Sequence, residues 1–132
     1  VILLLDTHVL LWWFEAHDRL PASYRRAIGR ADAARPLWVS DITLWEVATL
    51  HSLGRIRLKL PLRDWLERAT AAPLVIRHGI SPAVAAEVAS LPTSFHRDPA
   101  DRIIVATARV LGATLLTRDR RLIDSAVVPT YS

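Results

Sequence analysis

Apolar and polar positions alternate along this chain in blocks rather than residue by residue. The chain opens on Val1-Ile2-Leu3-Leu4-Leu5, an aliphatic run with no polar residue inside it. Such a strand has no face meant for water, so it is predicted to be central in a sheet covered on both sides. Asp6 ends the run. The polar pair Thr7-His8 follows, and Val9, Leu10, Trp12 and Trp13 then suit a helix over roughly 8–15. Leu20-Pro21-Ala22-Ser23 opens a second helix, predicted to reach about Ala33 before Ala34-Arg35-Pro36 breaks it. Leu37-Trp38-Val39 reads as a short strand, with Ser40 as N-cap of a helix from Asp41 to about Ser52 and Gly54 as its stop. Residues Arg55 to Leu60 alternate basic and apolar, which fits a short exposed strand or an extended connector.

The second half repeats the alternation. Leu62 to Ala72 forms an amphipathic pattern between Pro61 and Pro73, and Leu74-Val75-Ile76 is the next strand. Ser81-Pro82 opens a helix ending near Leu91-Pro92, and Thr93 to Arg97 is a polar loop. Asp98-Pro99-Ala100-Asp101 starts a helix to Leu111, which Gly112 stops. Ala113 to Leu116 is a strand, Arg118 to Asp124 a short helix, and Val127-Val128 a last strand. Strands alternating with helices imply right-handed crossovers and a parallel sheet of about five strands with helices on both faces. The expectation is an α/β fold in a single domain, 1–132. Ligands of such sheets bind beyond the carboxyl ends of the strands, where Asp6 lies.

Composition narrows the chemistry. There is no cysteine, so disulfides, thiolate metal sites and thiol nucleophiles are excluded, and a reducing, cytoplasmic setting is compatible. No apolar run approaches the ~20 residues of a membrane span, and the opening run is short and unflanked by basic residues, unlike a signal peptide. The net charge of +4 rests on arginine, with Lys59 the single lysine. Arginine's rigid fork suits phosphate, although a GC-rich coding sequence would give the same bias.

Thirteen acids are available, and four stand apart from ordinary surface. Asp6 follows a buried strand, where it either caps the next helix or faces a ligand. Glu46 lies in a helix apolar on almost every side, and its i±3 and i±4 neighbours, Ile42, Thr43, Thr49 and Leu50, offer no basic partner. Asp64 and Glu67, in contrast, sit among Arg63 and Arg68 on a solvated face, while Glu87 shares the apolar neighbours of Glu46 and is given no role. Asp98 is a natural N-cap with Asp101 at the third helical position, where an acid favours the helix dipole. Asp101 is also the last polar residue but one before the apolar run Ile103-Ile104-Val105-Ala106, which places it near the sheet edge. Asp119 repeats the Asp6 pattern after Ala113 to Leu116. If the strand edges are adjacent, Asp6, Glu46, Asp101 and Asp119 converge, and their mutual repulsion makes sense only around divalent cations. Oxygen-only ligation suits Mg²⁺ or Mn²⁺, in a site that activates water against a phosphodiester.

These residues carry a resemblance. Leu4-Leu5-Asp6-Thr7-His8 to Trp13, Val39-Ser40-Asp41 to Glu46-Val47-Ala48, Gly54 to Leu58, His96-Arg97-Asp98-Pro99-Ala100-Asp101 to Ala106, and Leu116-Thr117-Arg118-Asp119-Arg120-Arg121 stand in the order found in PIN domains. Over nearly its whole length the chain resembles that family, and within it the VapC-type toxins of toxin–antitoxin pairs. The resemblance implies a three-layer α/β/α fold and Mg²⁺-dependent endoribonuclease activity yielding 5′-phosphate and 3′-hydroxyl ends. It also implies a homodimer and a cognate antitoxin that covers the active site. By motif, Asp6, Glu46 and Asp101 correspond to the family's core acidic residues and Asp119 to its more variable fourth. Asp98 belongs to the same motif but outside the immediate ligands, and Thr117 is placed to hydrogen-bond a carboxylate or water. Tyr131 holds the place of an aromatic near the C-terminus of some relatives, with no function attached.

Arg97, Arg102, Arg118 and His96 flank the acids and are the candidate RNA phosphate contacts, against a reading as ordinary surface charge. His8, His17, His51 and His78 are given no role. Trp12, Trp13 and Trp45 are at helical spacing and are expected in the core or a dimer surface, with base stacking the minor alternative. Among rivals, an aspartyl-phosphate or receiver domain needs a lysine near a later strand end, and Lys59 lies in the connector. A haloacid-dehalogenase-type phosphatase needs a second Asp where His8 stands. The stronger alternative is a PIN module that binds RNA or a partner without cleaving, which the filled acid set does not favour.

Overall fold

Leu3–Leu5 form β1, flanked on one side by β2 (Leu37–Ser40) and on the other by β4 (Thr114–Leu116), with β3 (Val75–His78) outside β2. The computed structural model describes residues 1–95 and 97–131, so His96, a candidate RNA contact, lies outside the described residues. All three pairings are parallel, with Leu4 opposite Trp38 on one side and Leu115 on the other. Successive side chains of a strand point to opposite faces, and both faces of β1 are covered. Leu5 joins a core with Val9, Tyr24, Val47 and Trp65, while Leu4 joins one with Ile104, Val105, Leu115 and Leu122. Neither Leu4 nor Leu5 retains any exposed surface, and each such burial is worth about 2 kcal/mol. Leu3–Leu5 of the aliphatic opening are therefore a central strand, as the pattern predicts, while Val1 and Ile2 precede the strand and are exposed.

The helices are α1 (Thr7–Phe14), α2 (Ala22–Gly29), α3 (Ile42–Ser52), α4 (Leu62–Ala69), α5 (Pro82–Ser90), α6 (Pro99–Leu111) and α7 (Arg120–Ser125). Among the described residues none is long and apolar enough to cross a membrane. The expected cap chemistry is present: the Ser40 hydroxyl accepts from Ile42 N–H at 3.2 Å, and that of Ser81 accepts from Val84 N–H at 3.2 Å. Asp98 accepts from Asp101 N–H at 3.1 Å, and Gly112 closes α6 at φ +65°. Both helix α2 and helix α4 stop short of the predicted ends. After Gly29, the Asp32 carboxylate accepts from Ala34 and Arg35 N–H, a local turn that competes with helix. After Ala69, the Thr70 hydroxyl donates back to Leu66 O at 2.7 Å, and the chain leaves the helix ahead of Pro73.

The last strand is not at Val127-Val128. Val127 O is engaged by the Arg109 guanidinium at 3.1 Å, and the sheet gains only a parallel bridge between Leu115 and Thr130. Residues 55–60 are a connector, with Ile56, Leu58 and Leu60 packed on the core and Lys59 Nζ donating to Glu15 O at 3.0 Å. Glu87, whose neighbours along its own helix are apolar, finds its partner across the fold in Arg109 at 2.6 Å. Trp45 is not in the core: more than half of it, 58%, is exposed.

Candidate active site

Asp6 follows β1 directly, and its backbone N–H donates to Leu116 O at 2.9 Å, which fastens the end of β1 to β4. Both carboxylate oxygens are held. Oδ1 accepts from Thr7 N–H at 2.8 Å and Oδ2 from the Thr117 hydroxyl at 2.6 Å. Asp6 thus caps α1 and lines the cleft at once. Burial pushes its carboxyl up to about 6; the Thr117 and Thr7 hydrogen bonds pull the other way, and the charge of Asp101 adds to the rise.

Glu46 projects from α3 toward the same point. The Thr7 hydroxyl donates to its Oε1, and the Thr43 hydroxyl lies 3.1 Å from that of Thr7. With the Thr7 proton committed to the carboxylate, Thr43 is the donor in that second bond. Burial pushes Glu46 up to about 7, opposed by the Thr7 hydrogen bond and reinforced by Asp6, Asp101 and Asp98. Asp101, in the first turn of α6, is buried, with 7% of its surface exposed. Asp119 caps α7, accepting from Arg121 N–H at 2.9 Å, while its own N–H donates to the Thr117 hydroxyl at 3.0 Å. Thr117 therefore donates to one acid and receives from the backbone of another.

The four carboxylates, together with Asp98, line one cleft of about 320 Å³ at the carboxyl ends of β1 and β4. Its remaining walls are His8, Trp12, Arg118 and Arg121. Arg121 Nη2 stands 3.0 Å from Asp119 Oδ2 and 3.6 Å from Asp101 Oδ2, so a cation already spans two of the acids. Among the described residues no group of three or more His, Asp or Glu side chains is already drawn to metal-holding spacing. The donor set nonetheless fits a hard divalent cation: it is all oxygen, partly desolvated, and short of internal positive charge for Asp6 and Glu46. A larger groove of about 730 Å³ opens at the opposite edge, along Val1, Leu37 and Thr114, but no acid lines it.

The structure brings Asp6, Glu46, Asp101 and Asp119 together, with Thr117 beneath Asp6 and Asp98 at the rim. The candidate phosphate contacts separate. Arg118 is on the cleft wall, and Arg97 is exposed but does not line it. Arg102 donates to the carbonyls of Phe95 at 3.3 Å and Val88 at 3.4 Å and lies over the Phe95 ring, also away from the lining. His8, Trp12 and Arg121 also line the cleft and Thr7 bonds two of its acids, although the sequence offers Trp12 only a minor part in base stacking and the other three none. Their signal was adjacency. Thr7 directly follows Asp6, Arg121 is two residues beyond Asp119, and His8 and Trp12 share a face of α1 at i, i+4.

Comparison with known proteins points to one group. A family model described as PIN domain matches residues 3–127. The chain is 44% identical over 119 residues to Ribonuclease VapC22 of Mycobacterium tuberculosis, covering 90% of this chain and 88% of that protein. Among solved structures it is similar to VapBC2 from Rickettsia felis bound to a DNA fragment from their promoter, with a TM-score of 0.72 and 17% identity. That match covers 99% of this chain and 98% of that one. It is also similar to a toxin–antitoxin complex from Klebsiella pneumoniae, with a TM-score of 0.65, 21% identity, and 96% and 95% of the two chains covered. At those identities the solved structures show a shared fold.

Proposed function

This chain belongs to the PIN-domain family, and from that premise we propose that it is a divalent-metal-dependent endoribonuclease, the toxin of a toxin–antitoxin pair. The observation that carries the reading is the convergence of Asp6, Glu46, Asp101 and Asp119 on one cleft from four separate elements. The 44% identity to a ribonuclease supports RNA as substrate, and the fold shared with a toxin–antitoxin complex supports an antitoxin partner.

The four acids would hold Mg²⁺, or Mn²⁺ in its place. The bound cation would supply Lewis acidity toward a phosphodiester oxygen and lower the pKa of attacking water. The chain's own residues do the rest. Thr7 and Thr117 orient Glu46 and Asp6 by hydrogen bonds to their carboxylates. Arg118, on the cleft wall, is the residue that would contact an RNA phosphate, and Arg97 is exposed outside the cleft. Asp98 keeps α6 in register, so that Asp101 stays in the cleft. Cleavage leaves 5′-phosphate and 3′-hydroxyl ends, and the working unit is a cytoplasmic homodimer silenced by an antitoxin over the cleft.

The test is cleavage of a mixed RNA pool by wild type and Asp6→Asn, each with Mg²⁺ and with EDTA. Wild type with metal is expected to cleave and the other three arms to be silent. Cleavage in EDTA, or by the folded Asp6→Asn protein, would overturn the reading.

A further inference from the structure

Tyr24 of α2 is buried beside the site without lining it, with 3% of its surface exposed. Its hydroxyl lies 2.9 Å from Thr117 O and 2.9 Å from Tyr131 O, and its ring meets that of Tyr131 edge-on, 5.3 Å between centroids. Thr117 is the residue whose hydroxyl donates to Asp6 Oδ2 and accepts from Asp119 N–H. Strand β4 ends at Leu116, so sheet pairing stops one residue before the peptide on which those two bonds depend. The phenol of Tyr24 reaches that residue through its carbonyl.

We propose that Tyr24 is a positioning residue for the carboxylate cluster: by holding the Thr117 carbonyl, it aims the Thr117 hydroxyl at Asp6. The path runs from the Tyr24 hydroxyl to the Thr117 carbonyl at 2.9 Å, through the covalent frame of Thr117, and from its hydroxyl to the Asp6 carboxylate at 2.6 Å. An ionised carboxylate offers about four lone-pair sites on its two oxygens, and a donor that drifts leaves it free to rotate or take up a proton. The single phenolic proton is shared with a second acceptor, Tyr131 O, which ties the C-terminal segment to the same hydroxyl, and the Arg118 side chain also bonds that hydroxyl. The inference rests on the metal-site reading above only for its readout.

Mn²⁺ binding by calorimetry and kcat and KM on single-stranded RNA would be measured for wild type, Y24F, T117V, Y131A and the double variant Y24F/T117V. Y24F keeps the ring and its contact with Tyr131, so the fold is retained, and circular dichroism at the assay temperature checks it. Y24F is expected to raise the Mn²⁺ Kd by roughly tenfold, as loss of an outer hydrogen-bond partner does at metal sites. It should lower kcat at unchanged KM. In the T117V background the same change should cost nothing further, because the hydroxyl it aims is gone. Y131A leaves the main-chain acceptor in place and should lower the Tm while leaving the Mn²⁺ Kd alone. A wild-type Kd in Y24F, or a full additive penalty in the double variant, would overturn the role of Tyr24. A wild type that neither binds Mn²⁺ nor cleaves RNA would overturn the metal-site reading and this inference with it.

Discussion

Thr7 donates its hydroxyl to the Glu46 carboxylate across 39 positions of sequence, and its backbone N–H goes to Asp6. One small residue at the start of α1 thus holds two of the four acids in the cleft. Thr7→Val keeps the shape and the N–H but removes the hydroxyl, leaving Glu46 without the bond that opposes its desolvation. Its carboxyl should titrate above its present value of about 7, and Mn²⁺ should bind about tenfold more weakly. Carbon-13 NMR of the labelled Glu46 carboxyl measures the first effect and calorimetry the second. An unmoved titration would show that Thr7 is a packing residue only.

The metal-free protein should lose stability as pH rises. Asp6 and Glu46 have folded-state values of about 6 and about 7 against ordinary values of 3.8 and 4.5. Across that window the folded state binds more protons than the unfolded one, so stability falls with pH. The advantage is fully present below the ordinary values and gone once pH passes the folded ones. In EDTA the Tm should be lower at pH 8 than at pH 5, at about 4 °C per kcal/mol lost, and saturating Mg²⁺ should restore it. A Tm that rises over this interval in EDTA would contradict the burial, and the lesser repulsion, that raise these two carboxyls.

Glu46→Gln separates charge from hydrogen bonding. Gln still offers an oxygen to the Thr7 hydroxyl but cannot ionise, so both its desolvation penalty and its repulsion toward Asp6 and Asp101 disappear. At pH 8 in EDTA the variant should melt above wild type, while RNA cleavage is lost. Differential scanning calorimetry at pH 5 and pH 8 checks it: the gain belongs at pH 8, and an equal gain at pH 5 would point to better packing instead.

Arg121 competes with any cation drawn to Asp119 and Asp101. Arg121→Gln should therefore tighten Mn²⁺ binding, but only a few-fold, because an exposed ion pair contributes little. The difference should shrink as ionic strength rises. Isothermal titration at low and high salt would decide it, and weaker binding in the variant would make Arg121 a support of the site.

Local pattern carried the architecture. An aliphatic run without alternation admits one placement, a strand buried on both faces, and Leu4 and Leu5 occupy it because every other position exposes them to water. Ser81, Asp98 and Gly112 mark helix ends because a cap is chemistry between residues two to four apart. The acids that follow buried strands, Asp6 and Asp119, were legible for the same reason. The order of the elements and the side chains at their ends thus follow from local pattern alone. Which of those ends meet depends on how the elements pack. Nothing near Glu87 in sequence announces Arg109, and nothing near Glu46 announces Thr7, because each pair forms only when separate elements pack. The same limit hid Tyr24, which acts on Thr117 from 93 positions away. Hydrophobic periodicity is a property of one segment, but a hydrogen bond across a fold depends on the relative placement of two.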